Sequence, residues 1–472
     1  VPLFPLQRLA CFEKPKSTGA VSARSGAALA AARPGPARGA PTAAGVAARL
    51  SALLGPGNLG ASTGAMVTNL STGQVLYQLN PATGFAPAYT TKIATAIAAL
   101  DTLGPGARFT TRVVLPAGRP AGSAVPAGRP ARIVLVGGGD PTLAAGRFPA
   151  ADYPQPATLS ALAAATAKAL GQRQVRTVRL SFDATRFGGP LVASGWKPFG
   201  APGNYVSSGN VTPITGLEVD QGRLTASGSP EDADDPANYR PRSVRPSADA
   251  AHAFARFLSK DGITVRGTPR AIKHPPPRSA GPATELAAVQ SPPLAAIVQQ
   301  MLTESNNVIA ETLARQVAVA TGRPGTFDGA AAAVMAVDAR LKVAGLHLHD
   351  GSGLSPLDRI SPRALVALIT LAARTGPGRL RGAVTGLPVA GFSGTLGPGS
   401  FFGPFGHVAL GAVRAKTGNL THVATLAGLA DTSGGQILAF AFMGNDIPSR
   451  LGTQPELTLA ELATTLAGCG CR

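Results

Sequence analysis

From about Phe109 to Thr284 the chain changes character, and the segments on either side of that stretch have to close into one core across it. Ahead of it lie two strand-like runs, Gly64-Ala65-Met66-Val67-Thr68-Asn69-Leu70 and Gln74-Val75-Leu76-Tyr77-Gln78-Leu79. Ser71-Thr72-Gly73 between them suits a hairpin turn. A helix is expected to start near Gly45, and another to run from about Tyr89 to Leu100 with an apolar, buried end. Beyond the stretch come helices near 292–320, 328–344 and 362–375, strands near 411–416, 422–430 and 436–443, and a last helix near 455–467. The middle holds short strands such as Arg132-Ile133-Val134-Leu135-Val136, helices near 156–171 and 246–261, and many Pro-Gly connections. The pattern predicts an α+β fold, a helix-covered antiparallel sheet with a mostly β inserted domain. Residues 1–44 read as a disordered Ala/Pro/Arg-rich tail, 45–108 and 285–472 as the main domain, and 109–284 as the insert.

With 472 residues the chain is long enough for two or three domains and a large core. Its formal charge of +19 makes the surface attractive to polyanions. Neither an aromatic-basic RNA motif nor zinc-finger spacing accompanies that charge, so no nucleic acid is expected. An anionic cell envelope is the physical partner left, beside the plain reading of arginines spread over a solvated face. Three cysteines, Cys11, Cys469 and Cys471, form no zinc pattern and leave the redox compartment open. No run of about 18 apolar residues is present. Pro116-Ala117-Gly118-Arg119-Pro120 returns as Pro126-Ala127-Gly128-Arg129-Pro130, a low-complexity loop.

Three short elements carry chemistry. Acyl transfer needs a nucleophile, a base beside it and donors for the developing oxyanion. One arrangement uses Ser-x-x-Lys on a helix, a Ser-x-Asn turn and a Lys-Thr-Gly strand. The i, i+3 spacing sets the nucleophile and the lysine on one helix face. This chain has Pro87-Ala88-Tyr89-Thr90-Thr91-Lys92, then Ser305-Asn306-Asn307 ahead of Val308-Ile309-Ala310-Glu311, then Lys416-Thr417-Gly418 after Ala412-Val413-Arg414-Ala415. Each triplet is weak alone; their order and context are much stronger.

On these elements the chain resembles the class C low-molecular-mass penicillin-binding proteins, serine-type D-Ala-D-Ala carboxypeptidases and endopeptidases. Gly137-Gly138-Gly139-Asp140-Pro141-Thr142-Leu143, Asp350-Gly351-Ser352-Gly353-Leu354-Ser355 and Val413 to Gly418 extend the resemblance, which covers roughly residues 45–468. Ser305 follows Tyr89 by about 216 positions, too many for one compact core and suited to a family with an insert between its first two motifs. The resemblance implies a β-lactamase/transpeptidase-type fold, an extracytoplasmic location, and a hydrolase acting on peptidoglycan stem peptides ending in D-Ala-D-Ala, with β-lactams as further ligands. Lys92 would be the general base. Ser305 and Asn307 would relay protons and orient the substrate, and Lys416 and Thr417 would bind its carboxylate. The N–H groups of residues 89 and 419 would form the oxyanion hole beside Gly418. Asn419 and His422 depart from the family pattern; His422 is expected to narrow the cleft. No metal or organic cofactor is implied.

The main departure is Tyr89, which stands where the pattern demands serine. A ring in a site shaped for a hydroxymethyl group costs about 1–3 kcal/mol where the fit is tight. Its oxygen lies several ångströms further from the backbone, out of register with its own N–H. Losing a triad nucleophile costs about 10⁶ in kcat elsewhere. Three outcomes stay open: a catalytically inactive peptidoglycan-binding or scaffolding protein; ordinary family activity, with Lys92 deprotonating the phenol or Thr90 or Ser305 attacking instead; and another acyl-transfer chemistry, as in an esterase or β-lactamase. Ser194-Gly195-Trp196-Lys197 and Ser208-Gly209-Asn210 imitate two motifs. Gly195 and Pro198 disfavour a helix there, so these read as an insert loop near the cleft. His347 and His349 read as surface or packing residues, and the run from Glu231 to Asp235 as a solvated acidic loop.

Overall fold

The computed structural model describes residues 41–55, 57–116, 130–146, 148, 153–224, 241–273, 283–374 and 378–471. The tail up to residue 40, the interior of the Pro-Ala-Gly-Arg-Pro pair and the acidic run 231–235 lie outside these.

The main sheet has five antiparallel strands, in the order Val413–Leu420, Val423–Asp431, Ile437–Asn445, Ser62–Asn69, Val75–Leu79. The two ends of the chain thus meet in its middle, where Ser62 pairs with Asn445 and Asn69 with Leu438. Side chains alternate across a strand, so each face collects every second residue. Ala439, Ala441 and Met443 face a core shared with the helices Thr91–Leu103, Leu294–Thr303, Asn307–Ala320, Phe327–Arg340 and Pro362–Arg374. Leu438, Phe440 and Phe442 face the helices Ala43–Leu50 and Gln454–Ala467. Both faces being covered explains why this strand reads as one unbroken apolar run.

A second sheet is built from residues 110–290. Its order is Thr264–Val265, Thr177–Asp183, Ala131–Val136, Thr110–Leu115, Thr284–Gln290. Its last strand, Thr284–Gln290, lies almost wholly beyond the boundary expected at 284, and the strand directions differ from a plain antiparallel insert. Ala131–Val136 and Thr177–Asp183 are parallel. Parallel neighbours need a crossover, which the helix Leu159–Gly171 provides. With the helix Pro246–Lys260 it covers the sheet over a separate core centred on Ile133, Leu162, Phe182 and Phe254. Residues 110–290 therefore form a helix-backed mixed sheet.

One expected helix is two. The run 292–320 breaks at Ser305, whose φ of 55° is left-handed. Asn306 then caps the new helix, its side chain accepting from Ile309 N. The break is what projects Ser305 and Asn307 from a turn.

Candidate active site

The segment ahead of the first motif lysine is a tight turn, Ala88–Thr90, running into the helix Thr91–Leu103. Ala88 adopts a left-handed φ of 48°. Pro87 O accepts from Thr90 Oγ1 at 2.7 Å and from Thr425 Oγ1 at 2.8 Å, which ties the turn to the sheet. Gly418 makes that approach feasible. A Cβ there would lie 2.3 Å from Thr425 Oγ1 and 2.7 Å from Pro87 O.

Lys92 is fully buried. Its Nζ donates to Asn307 Oδ1 at 2.7 Å and to Ser352 O at 2.9 Å. The same Nζ sits 4.4 Å from the centre of the Tyr89 ring, so the i, i+3 spacing presents the amine with a ring face. Burial pulls Lys92 down to about 7, against the opposing pull of Asp350 and Glu311. Lys416 is buried too, with Nζ 3.0 Å from Thr417 O. Burial and the nearby charge of Lys92 hold it well below the ordinary lysine range.

Two buried acids shape the loop that faces Lys92. Glu311 accepts from the N–H groups of Gly351 and Ser352. Burial first, and then Asp350, raise it to about 8. Asp350 accepts from Gly353 N, Ser355 N and Trp196 Nε1. Glu311 follows Asn307 by one helical turn and shares its face, a signal that was present in the sequence. Asp350 lies in a stretch singled out there without a role.

Tyr89, Ser305, Asn307, Thr417 and Asn419 line one cavity of about 330 Å³. Lys92, Lys416 and Gly418 stand behind its wall. Ser305 Oγ is buried and has no hydrogen-bond partner among the described residues. Thr90 is turned away, its hydroxyl held by Pro87 O. Phe402 and Leu459 give the cavity an apolar end.

The insert contributes as well. Asn307 Nδ2 donates to Asn210 O at 3.1 Å, and Asn306 Nδ2 to Gln221 Oε1 at 2.8 Å. Arg242 holds Gly209 O and Gln221 O. Asn210 and Arg242 also line the cavity. The Ser208-Gly209-Asn210 segment is thus a loop of the site wall. Ser194 lies in a turn with Gly195, whose φ is 85°, and Lys197 follows it outside any helix, so the two share no helix face.

His422 corrects an expectation. It sits exposed in the two-residue turn between Leu420 and Val423, with a left-handed φ of 64°, and its Nδ1 meets Ile447 O. It does not line the cavity. His347 and His349 pack ring against ring at 5.0 Å, and no group of metal-ligating side chains occurs among the described residues.

Fold and site define a class C low-molecular-mass penicillin-binding protein. Residues 46–240 and 206–466 match the model of the D-Ala-D-Ala carboxypeptidase 3 (S13) family, and the chain belongs to that family. It is 36% identical to a carboxypeptidase of Mycobacterium tuberculosis over 437 residues, covering 91% of this chain and 85% of that protein. It is 30% identical to a D-alanyl-D-alanine carboxypeptidase of an Actinomadura species over 477 residues, covering 88% and 84%. The crystal structure of penicillin-binding protein 4 from Haemophilus influenzae shares the fold, with a TM-score of 0.68 at 22% identity over 89% of this chain and 98% of that one.

Proposed function

We propose that this chain binds peptidoglycan stem peptides ending in D-Ala-D-Ala, outside the cytoplasmic membrane, and that position 89 no longer supports the acyl-enzyme step. The observation that carries this is the Tyr89 ring over Lys92 Nζ, while that nitrogen is engaged by Asn307 and Ser352. A base must reach the proton it removes, within hydrogen-bond distance of the oxygen that carries it. Here the amine meets a ring face.

The groups that would hold a peptide remain. Thr417 borders the cavity, and the Lys416 amine behind it would attract a terminal carboxylate. Asn307 would orient the peptide amide. The N–H groups of Tyr89 and Asn419 would face its carbonyl. β-Lactams would enter by the same contacts. The test pairs two measurements on the native protein. A D-Ala-D-Ala peptide should bind saturably, while intact-mass spectra after penicillin treatment show no adduct and no D-alanine is released. Steady D-alanine release would overturn the proposal.

A second reading has one observation in its favour. An amine pulled to about 7 is substantially neutral at neutral pH, as a base must be. In that reading the Tyr89 phenol is itself acylated, and an adduct mapped to the Tyr89 peptide would identify it.

The same lysine sets a pH dependence. In a Tyr89→Ser variant, acylation should be slow where Lys92 is protonated and rise with pH through about 7. A profile flat from about pH 6 to 8 would remove Lys92 from the role of base.

A further inference from the structure

The loop Gly137-Gly138-Gly139 takes no part in the peptide site. It follows the strand Ala131–Val136, whose last residue pairs in parallel with Asp183, the last residue of Thr177–Asp183. Ligands of open sheets gather beyond the carboxyl ends of parallel strands. A second cavity, of about 480 Å³, lies there, against the far end of the helix that begins at Asn307.

Three arginines border this cavity: Arg108, Arg112 and Arg186. Among the described residues no carboxylate lies within ion-pair distance of any of them. Arg186 is fixed in direction, its Nε and Nη2 donating to Gln316 Oε1 at 2.9 and 2.6 Å. Gln316 is fully buried and donates in turn to the carbonyls of Gly138 and Gly139. Arg108 is anchored through Nη1 to Ser291 O. The cavity holds one acid, Asp183, whose Oδ1 accepts from Thr185 N and Thr185 Oγ1. The balance is three positive charges to one negative. Although much of the Arg186 side chain meets solvent, its guanidinium is partly withdrawn from water, which lowers its pKa. Guanidinium groups that line one cavity in excess over its carboxylate repel one another, and an oxyanion relieves that repulsion through charge-assisted, often bidentate, hydrogen bonds.

We propose that this cavity is a binding site for a phosphate-ester group, of the kind carried both by anionic lipid headgroups and by glycerol-phosphate polymers. The site is separate from the peptide cleft, to which the helix Asn307–Ala320 links it.

The experiment titrates the full chain with inorganic pyrophosphate by calorimetry at about 0.1 M ionic strength. One saturable site per chain is expected. Arg112→Glu, on an exposed position, should weaken it at least about tenfold. Arg256→Glu, exposed on the helix Pro246–Lys260 and outside the cavity, should change it less than about twofold. Equal losses in the two variants, or no saturable binding, would show that net charge alone attracts anions and overturn the site. Glycerol-phosphate oligomer and vesicles containing phosphatidylglycerol are then run as competitors. Competition by either supports the site and names the source; competition by neither overturns the phosphate-ester assignment.

Discussion

Tyr89→Ser is expected to speed acylation by a labelled penicillin at least about 10³-fold over the native protein. Affinity for a D-Ala-terminated peptide should stay within a few-fold. The gain has two sources. A serine hydroxyl sits beside its own N–H, so the attacked carbonyl can reach the oxyanion donors while it is attacked. Removing the ring also clears the face of Lys92 Nζ, now covered at 4.4 Å. On the proposed reading the other groups stay as they are, because Asn307 and Ser352 already hold the amine and burial lowers its pKa. Labelled protein followed over time on a gel measures the rate. Equal rates in the native protein and the variant would sink the role given to Tyr89. Adding Lys92→Met to the serine variant should return acylation to the native level.

Gly353→Ala is expected to destabilise the fold by about 3 kcal/mol or more. Gly353 has a φ of +84°, and a Cβ there would lie 1.9 Å from Ala88 O and 2.9 Å from Thr91 Oγ1. The first of these is a backbone atom in a turn that is itself left-handed at Ala88, so neither side can yield without moving Tyr89. Gly435→Ala separates the two terms. Its φ is +75° but nothing lies within 4 Å of the new methyl group. That variant should lose only the conformational part, about 1–2 kcal/mol. Urea unfolding midpoints measure both. Equal losses would mean that the contact with Ala88 is not what requires glycine.

Much of the main domain is legible in the sequence because its segments are long and patterned. The hairpin from 64 to 79, the apolar helix after Tyr89, and the last three strands stand within a few residues of their expected places. The three motifs converge, as their order implied, with Lys92 bonded to Asn307 across a gap of 215 positions. What stayed hidden follows from physics that periodicity does not record. The break at Ser305 depends on a left-handed serine, a conformation its side chain does not advertise. Strand direction in the insert leaves no mark on the pattern of apolar residues, so the parallel pair was invisible. The family pattern puts His422 at the cleft, whereas a two-residue turn carries it out of the wall. Gln221, held by Arg242, meets Asn306 across a gap of 85 positions, and no local signal connects them.

The pairing of Ser62–Asn69 with Ile437–Asn445 has a kinetic consequence. The first strand of the main sheet is made about 375 residues before its central neighbour. At about 5–20 residues per second that wait is on the order of 20–75 seconds. Local contacts within the insert can form meanwhile, since its sheet, crossover helix and core are contained in residues 110–290. The insert can therefore mature first and act as a pre-closed loop that shortens the search between the ends of the chain. The cavity, which draws on Tyr89, Asn210, Ser305 and Asn419, is then completed only after both sides of that loop have been made.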